Sequence, residues 1–393
     1  MKVKNFAPGP SKIPKDILDE ISQDVLDFRN LGQSVLELSH RGEAFENILN
    51  ESKKNLHKIL NIPNNFEIIF LQGGATFQNT FIAKNKPTLK DDILFLLSGT
   101  WGKKTHHDFQ INFNRDIPSI ALTNQSYENI VDEVRQSNKK YLYITSNETI
   151  QGIQIKKFNN FKDKKLIIDM SSDICSYEFE WNNISYIFAG AQKNLGIPGV
   201  TICIFDRDFI QKEDLTSYMN INNHIDKNSI FNTPPTFSIY VMLKVLEWIE
   251  KNGGLKEFER NNIDRANKIY NFLDNNLDDL TPLAPKEFRS TSNIVFDFKD
   301  KKQTEIFLEK SYENKFLGLN GHRSVGGIRV SNYNSITDEM ISDFLIFLEK
   351  VVNSLVIVAQ YETQRRFISF DQGHVEVGKA VFHPRCTERG TKA

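Results

Sequence analysis

The chain has 393 residues, with 49 basic against 50 acidic side chains, a formal charge of −1 and a pI near 6.7, so no global field favours nucleic acid or an anionic membrane. Cys175, Cys203 and Cys386 are odd in number and widely spaced, with no Cys-x-x-Cys pair, which argues against a disulfide framework and against a zinc or other metal site. Length allows two domains around a large core, and the absence of an apolar leader or of any apolar run near the roughly 20 residues of a membrane helix points to a soluble, cytoplasmic protein.

The opening arm, residues 1–15, meets Pro8, Gly9 and Pro10 at once. Apolar spacing at Ile17, Leu18, Ile21, Val25 and Leu26 then predicts a helix after Pro14, a residue suited to a first helical turn, and a second helix is expected over Phe45 to Leu60. Strands and helices alternate from there. Phe66 to Leu71 reads as a strand, a helix follows Gly74, and Ile93 to Leu97 is again extended. Tyr127 to Arg135 reads as a helix, and Tyr141 to Thr145, Leu166 to Ile168, Ile184 to Phe188 and Val200 to Phe205 as strands. Such alternation implies crossover units and an α/β fold with a mainly parallel sheet. An amphipathic helix over Thr236 to Glu250 is stopped by Gly253 and Gly254, which closes a large domain, 16–254. A smaller C-terminal α/β domain, 255–354, holds a long helix, a strand Asn293 to Phe298, a helix near Thr304 to Tyr312, a strand Ile328 to Ser331 and a last helix Thr337 to Val352. The extension 355–393 differs in composition, favouring arginine over lysine and lacking the asparagines abundant before it. It reads as a loosely attached extension, with a small appended hairpin as the alternative that strand-like alternation in LVIVAQ, RRFISF and HVEVGKAVF leaves open.

Chemistry concentrates at the ends of the expected strands. Gln72-Gly73-Gly74-Ala75-Thr76 lies between a strand and a helix, so free backbone N–H groups and the helix dipole suit a phosphate. Trp101, in SGTWG, can cover the face of a planar ring, and Thr149, in SNETIQG, puts a hydroxyl at the same rim. Asp169 ends the strand in LIIDMSS, where ligands bind in open α/β sheets. Lys193 stands in AGAQKNLGIPG, where Gly190, Ala191, Gly196 and Gly199 are expected to leave room around its amine. Alone, the pair would read as a loop lysine and a helix-capping aspartate. Together they are the two groups that pyridoxal phosphate (PLP) needs most, a Schiff-base lysine and a partner for the pyridinium nitrogen. Two His-Arg pairs beside glycine, His40-Arg41 and His322-Arg323, and Arg329 close behind, suit a substrate with several negative charges, because arginine holds carboxylate or phosphate through two bonds.

FAPGPS, SHRG, QGGAT, the Trp101 region, NETIQG, the strand bearing Asp169 with Ser171, AGAQKNLG, FNTPPTF and GHRSVGGIRVSNYN follow one another in this chain. In that order they resemble the phosphoserine aminotransferase family, class V aminotransferases of PLP fold type I, over residues 1 to about 353. The resemblance implies a Schiff base at Lys193, a bond from Asp169 to the pyridinium nitrogen, Trp101 stacked on the ring and Thr149 near the ring hydroxyl. It implies a phosphate site at Gly74, Ala75, Thr76 and Gln192, completed by Asn232 and Thr233 of a second subunit in a homodimer with shared sites. His40, Arg41, His322, Arg323 and Arg329 would bind substrate, Arg329 taking the α-carboxylate. The implied reaction passes an amino group between L-glutamate and 3-phosphohydroxypyruvate. Ser176-Tyr177-Glu178 departs from the family's usual Ser-Arg-Pro, which leaves that wall of the site open to question, and the histidines of GKKTHHDFQ are expected at the surface. A serine or alanine to glyoxylate aminotransferase would have no use for two His-Arg pairs, and a cysteine desulfurase would need a loop cysteine that Cys203 and Cys386 do not bracket. A PLP-binding regulator without turnover would not need the arginine set.

Overall fold

A computed structural model describes residues 3–122, 125–211 and 213–371. Residues up to Leu345 form one compact unit, and a second begins at Ile346. Within the first, seven strands make one sheet in the order Phe66–Leu71, Thr201–Asp206, Ile184–Gly190, Lys165–Asp169, Tyr141–Thr145, Ile93–Leu97, Ser119–Ala121. Thr201–Asp206 runs antiparallel to both its neighbours and the other pairings are parallel. This is the expected α/β architecture, with one strand, Ser119–Ala121, that sequence reading missed. Only Ile120 of its three residues is apolar and large, and it is half-buried at the sheet edge.

Side chains alternate along each strand, so the sheet divides its apolar groups between two cores. Ile68, Phe70, Leu142, Ile144, Ile202 and Ile204 face a core shared with the helices Lys15–Leu26, Glu43–Leu60 and Thr236–Lys251. Ile69, Leu71, Tyr141, Tyr143, Cys203 and Phe205 face the opposite core, with Phe81 and Phe109 from the helices Gly74–Asn85 and Thr100–Phe113. Both faces are covered, which is the condition under which a parallel sheet is stable. The helix Thr236–Lys251 is apolar nearly all round and is buried from Ser238 to Leu243, as a helix between a sheet and an outer layer must be. It ends ahead of Gly253 and Gly254, at φ 98° and 69°, where the helix Gly254–Asp274 begins.

A second, antiparallel sheet has the order Leu280–Pro282, Asn293–Phe298, Ile328–Ser331. The N-terminal arm joins the same region, because Lys4–Asn5 pairs in parallel with Phe316–Leu317. Two expectations need correction. GKKTHHDFQ lies in the helix Thr100–Phe113, and His106 is half-buried, bonded to the Ile117 carbonyl at 2.8 Å and edge-on to Phe95; only His107 is exposed. The final helix runs from Asp338 to Asp371, so LVIVAQ and RRFISF are helical and form no hairpin. No glycine or proline interrupts the chain between Thr337 and Asp371, and an apolar run without a breaker continues the helix it follows. HVEVGKAVF and Cys386 lie outside the described residues; Cys175 and Cys203 are buried free thiols. Among the described residues no helix is long and apolar enough to cross a membrane.

Candidate active site

Five strand ends converge on one cleft of about 430 Å³. They carry the turn after Leu71, the start of the helix after Leu97, the hairpin after Thr145, Asp169 itself and the loop after Gly190. The cleft is lined by Gly74, Ala75, Thr76, Trp101, Thr149, Asp169, Gln192, Lys193, His322 and Arg329. Ten of the fifteen sequence-derived candidates therefore meet in one place, from segments up to 255 positions apart (Gly74 to Arg329). Pro8, Gly9, Thr145, Asn147, Ser171 and Ser172 complete the lining.

At the phosphate cradle, Gly73 takes φ 94° and Gly74 φ 65°, and no side chain caps the helix that starts there. A Cβ on Gly73 would lie 2.6 Å from the Phe77 Cβ, whereas one on Gly74 would meet nothing within 4 Å. First-turn N–H groups are thus presented to open space, as an anion site requires.

Lys193 projects into the cleft with its Nζ 5.8 Å from the centroid of the Trp101 ring. Burial pushes the pKa of its amine down, opposed by the charges of Asp169, Glu148 and Asp173. Asp169 has one oxygen bound to the Ser171 N–H at 2.9 Å; burial raises its pKa and the Lys193 charge opposes the rise. The Trp101 indole N–H donates to Thr149 Oγ1 at 3.0 Å, which leaves the Thr149 hydroxyl proton free to donate elsewhere.

Two of the glycines around Lys193, Gly196 and Gly199, act differently from the expectation. Gly196, at φ 140°, lies against Val241 and Met242, and a Cβ on Gly199, at φ 121°, would meet the Ser238 Oγ at 2.6 Å. They let the loop seat against the helix Thr236–Lys251. The N-terminal arm packs closely on the lysine stem, where a Cβ on Gly9 would be 3.2 Å from the Lys193 Cγ. Ser11 fastens this arm, its N–H bonding the Gln192 carbonyl at 3.0 Å and its hydroxyl the Lys193 carbonyl. Tyr333 donates to the Pro8 carbonyl at 2.9 Å. FAPGPS was visible as a motif, yet nothing local ties residue 9 to residue 193.

Arg329 is buried, donates from Nη1 to the Thr149 carbonyl at 3.2 Å, and has no partner for its Nε. A buried guanidinium with unmet donors is a site for an anion. His322 lines the cleft with Nδ1 2.8 Å from the Ser324 Oγ. His40, Arg41, Arg323, Asn232 and Thr233 do not line it. His40 is half-buried, and Arg41, Arg323 and Thr233 are exposed. Asn232 donates to Gln72 Oε1 at 3.1 Å, at the residue that opens the phosphate turn.

Ser176-Tyr177-Glu178 does not line the cleft, and a buried hydrogen-bond network gathers at Tyr177. The buried Tyr177 hydroxyl donates to Asp173 at 3.1 Å, Gln154 adds a bond at 3.0 Å and the Ser146 hydroxyl a third. Lys156 stands over the Tyr177 ring at 4.7 Å. Burial raises the Asp173 carboxyl to about 6, against the pull of these donors. Asp173 and Glu148 are site-supporting groups that sequence reading passed over, although SNETIQG and DMSSD contain them.

An open anion cradle, a lysine amine with no hydrogen-bond partner among the described residues, a facing carboxylate and an indole define a type I aminotransferase site. The family model described as Aminotransferase class-V matches residues 3–344, and the chain is a class V aminotransferase. A phosphoserine aminotransferase of Lysinibacillus sphaericus is 37% identical over 350 residues, covering 87% of this chain and 96% of that one. A solved phosphoserine aminotransferase, studied for radiation damage of its Schiff base, superposes with a TM-score of 0.84 at 35% identity, covering 90% of this chain and all of that one. The PLP-bound phosphoserine aminotransferase of Trichomonas vaginalis gives 0.81 at 31% identity, over 88% of this chain and 100% of the other. The chain belongs to the phosphoserine aminotransferase family, and its cofactor is PLP. The residues present fit that cofactor, since each of its polar groups has a donor or acceptor in the cleft left unengaged by the protein.

Proposed function

We propose that the protein passes an amino group reversibly between L-glutamate and 3-phosphohydroxypyruvate, giving 2-oxoglutarate and 3-phosphoserine for L-serine biosynthesis in the cytoplasm. The observation that carries this reading is the Lys193 amine, unbonded and beside Asp169 on the cleft floor, with the unmet donor of Arg329 in the same cleft. Bound PLP supplies an electron sink conjugated to the substrate Cα. Gly74, Ala75, Thr76 and Gln192 hold its phosphate, Trp101 covers its ring, Thr149 donates to its hydroxyl, and Asp169 holds positive charge at its ring nitrogen.

Lys193 anchors the cofactor and then carries the proton. Burial favours the free-base form of this amine, the form that can take the proton from the substrate Cα and return it at the cofactor's C4′ carbon. Arg329 fixes the α-carboxylate, which aligns that Cα–H bond with the amine. His322, with Arg323, His40 and Arg41, receives the substrate phosphate.

The working unit is a homodimer. Leu26, Leu31 and Leu36 are 81%, 55% and 54% exposed within eleven positions, more apolar surface than a free segment ordinarily shows, and His40-Arg41 follows at once. Asn232 and Thr233, outside the chain's own cleft, serve the partner's phosphate site. Mixing inactive Lys193→Ala chains with inactive Asn232→Ala chains should restore activity in heterodimers, because one composite site is then intact. Full activity in a particle of single-chain mass by light scattering would refute the shared site. The function itself is tested by glutamate-dependent amination of 3-phosphohydroxypyruvate with purified protein. No conversion with PLP bound would end the reading.

A further inference from the structure

We propose that Glu148 is a positioning residue of this site, whose carboxylate grips the backbone at Trp101 and so fixes where the indole lies over the cleft. The inference rests on the transaminase reading for what the indole covers, and on geometry for the grip.

Glu148 is fully buried in the short strand Asn147–Glu148, which pairs with Ile153–Gln154. Its two oxygens accept separate backbone N–H groups, Trp101 at 3.0 Å and Gly102 at 2.7 Å. These belong to the first turn of Thr100–Phe113, a helix whose own cap residue, Gly99, offers no side chain. Gln151 completes the cap, accepting from the Thr100 N–H at 3.2 Å and donating to its hydroxyl at 2.7 Å. A Cβ on Gly99 would fall 2.6 Å from the Glu148 Cδ and 2.4 Å from the Gln151 Oε1. The glycine is what admits both side chains.

Glu148, Thr149 and Gln151 thus form one clamp. Glu148 holds the Trp101 backbone and Thr149 its indole, so the ring is fixed at both ends from a single hairpin. An aspartate would be one methylene short of the two amides, and a glutamine can accept only one of them.

Charge makes the grip conditional. Burial raises the Glu148 carboxyl to about 7, opposed by the N–H groups of Gly102 and Trp101 and by the charge of Lys193, and reinforced by Asp169. Tyr143, on the strand beneath, is the other titratable group that senses it, and Lys104 stands 6.0 Å from the Trp101 ring. Above about pH 7 the ionised group accepts two bonds; below it, a proton on one oxygen leaves one acceptor.

The test is amide hydrogen exchange at Trp101 and Gly102 in the full-length PLP-loaded protein, wild type against Glu148→Gln, corrected for intrinsic rates. Glutamine keeps the shape and the fold, which far-ultraviolet circular dichroism verifies. At pH 8 the variant should exchange these amides at least about tenfold faster, the expected loss for a charge-assisted bond. Wild-type protection should fall towards the variant as pH drops from 8 to 5.5, while the variant stays flat. Equal protection in the two proteins, or wild-type protection that ignores pH across that range, would overturn the proposal. Exchange needs no turnover, so this pattern in a protein without transaminase activity would sink the functional reading and leave the grip standing.

Discussion

Replacing Lys193 with alanine should lower kcat for amino transfer by at least about four orders of magnitude. A positioned general base contributes roughly 10²–10⁴ in rate, and the same side chain also holds the reacting centre in place, a further loss on removal. Of the other basic residues in the described lining, Arg329 stays protonated and cannot take a proton from carbon, and His322 is assigned to the substrate phosphate. Borohydride should reduce a Schiff base to Lys193 in the wild type, located by peptide mass, and should find none in Lys193→Ala. A reducible link at a different lysine would mean that the site has been placed in the wrong loop.

Asp169→Asn should cost about two to four orders of magnitude in kcat while leaving the fold intact. The asparagine oxygen can still accept from the Ser171 N–H, now made at 2.9 Å, so the turn after the strand survives. What disappears is a negative charge facing Lys193 and the cofactor's ring nitrogen. Removing one member of a buried charge pair costs about 3–5 kcal/mol, and each 1.36 kcal/mol is about tenfold in rate. The variant should also let the Lys193 amine of the cofactor-free protein titrate lower, because the Asp169 charge is the leading influence that raises it. A loss under tenfold, with cofactor fully bound, would show that Asp169 holds no charge in the reaction.

Much of this site is legible in the sequence because each part is announced locally. Strands with apolar runs deliver Asp169 and the QGGAT turn at their ends, and a glycine-rich loop marks Lys193. Arg329 was readable as an unusual arginine entering an apolar strand. The illegible part is made of long-range approach. Gly9 meets Lys193 across 184 positions, and only the folded arm shows that its missing Cβ lets it pack on the lysine stem. Gly99 likewise looks like a turn glycine until Glu148 and Gln151 are seen to fill its side. Gly196 and Gly199 of AGAQKNLGIPG serve a different purpose from the expected one for the same reason, since their neighbour, the helix Thr236–Lys251, is some 40 positions on. The last helix overran its expected end since only a breaker would have stopped it, and strand-like alternation after Asn353 was too short a signal to outweigh that.

The central claim is that the Lys193 cleft is a transaminase site for a phosphorylated amino acid. It is tested most directly by the single-turnover half-reaction of the PLP-loaded protein with 3-phosphoserine against L-serine, followed by loss of the cofactor's visible absorbance. If two cationic forks each contribute about 1.5–3 kcal/mol to binding the phosphate, kcat/KM for phosphoserine should exceed that for serine by roughly two to four orders of magnitude. Equal rates for the two amino acids, or no half-reaction with either, would contradict the account.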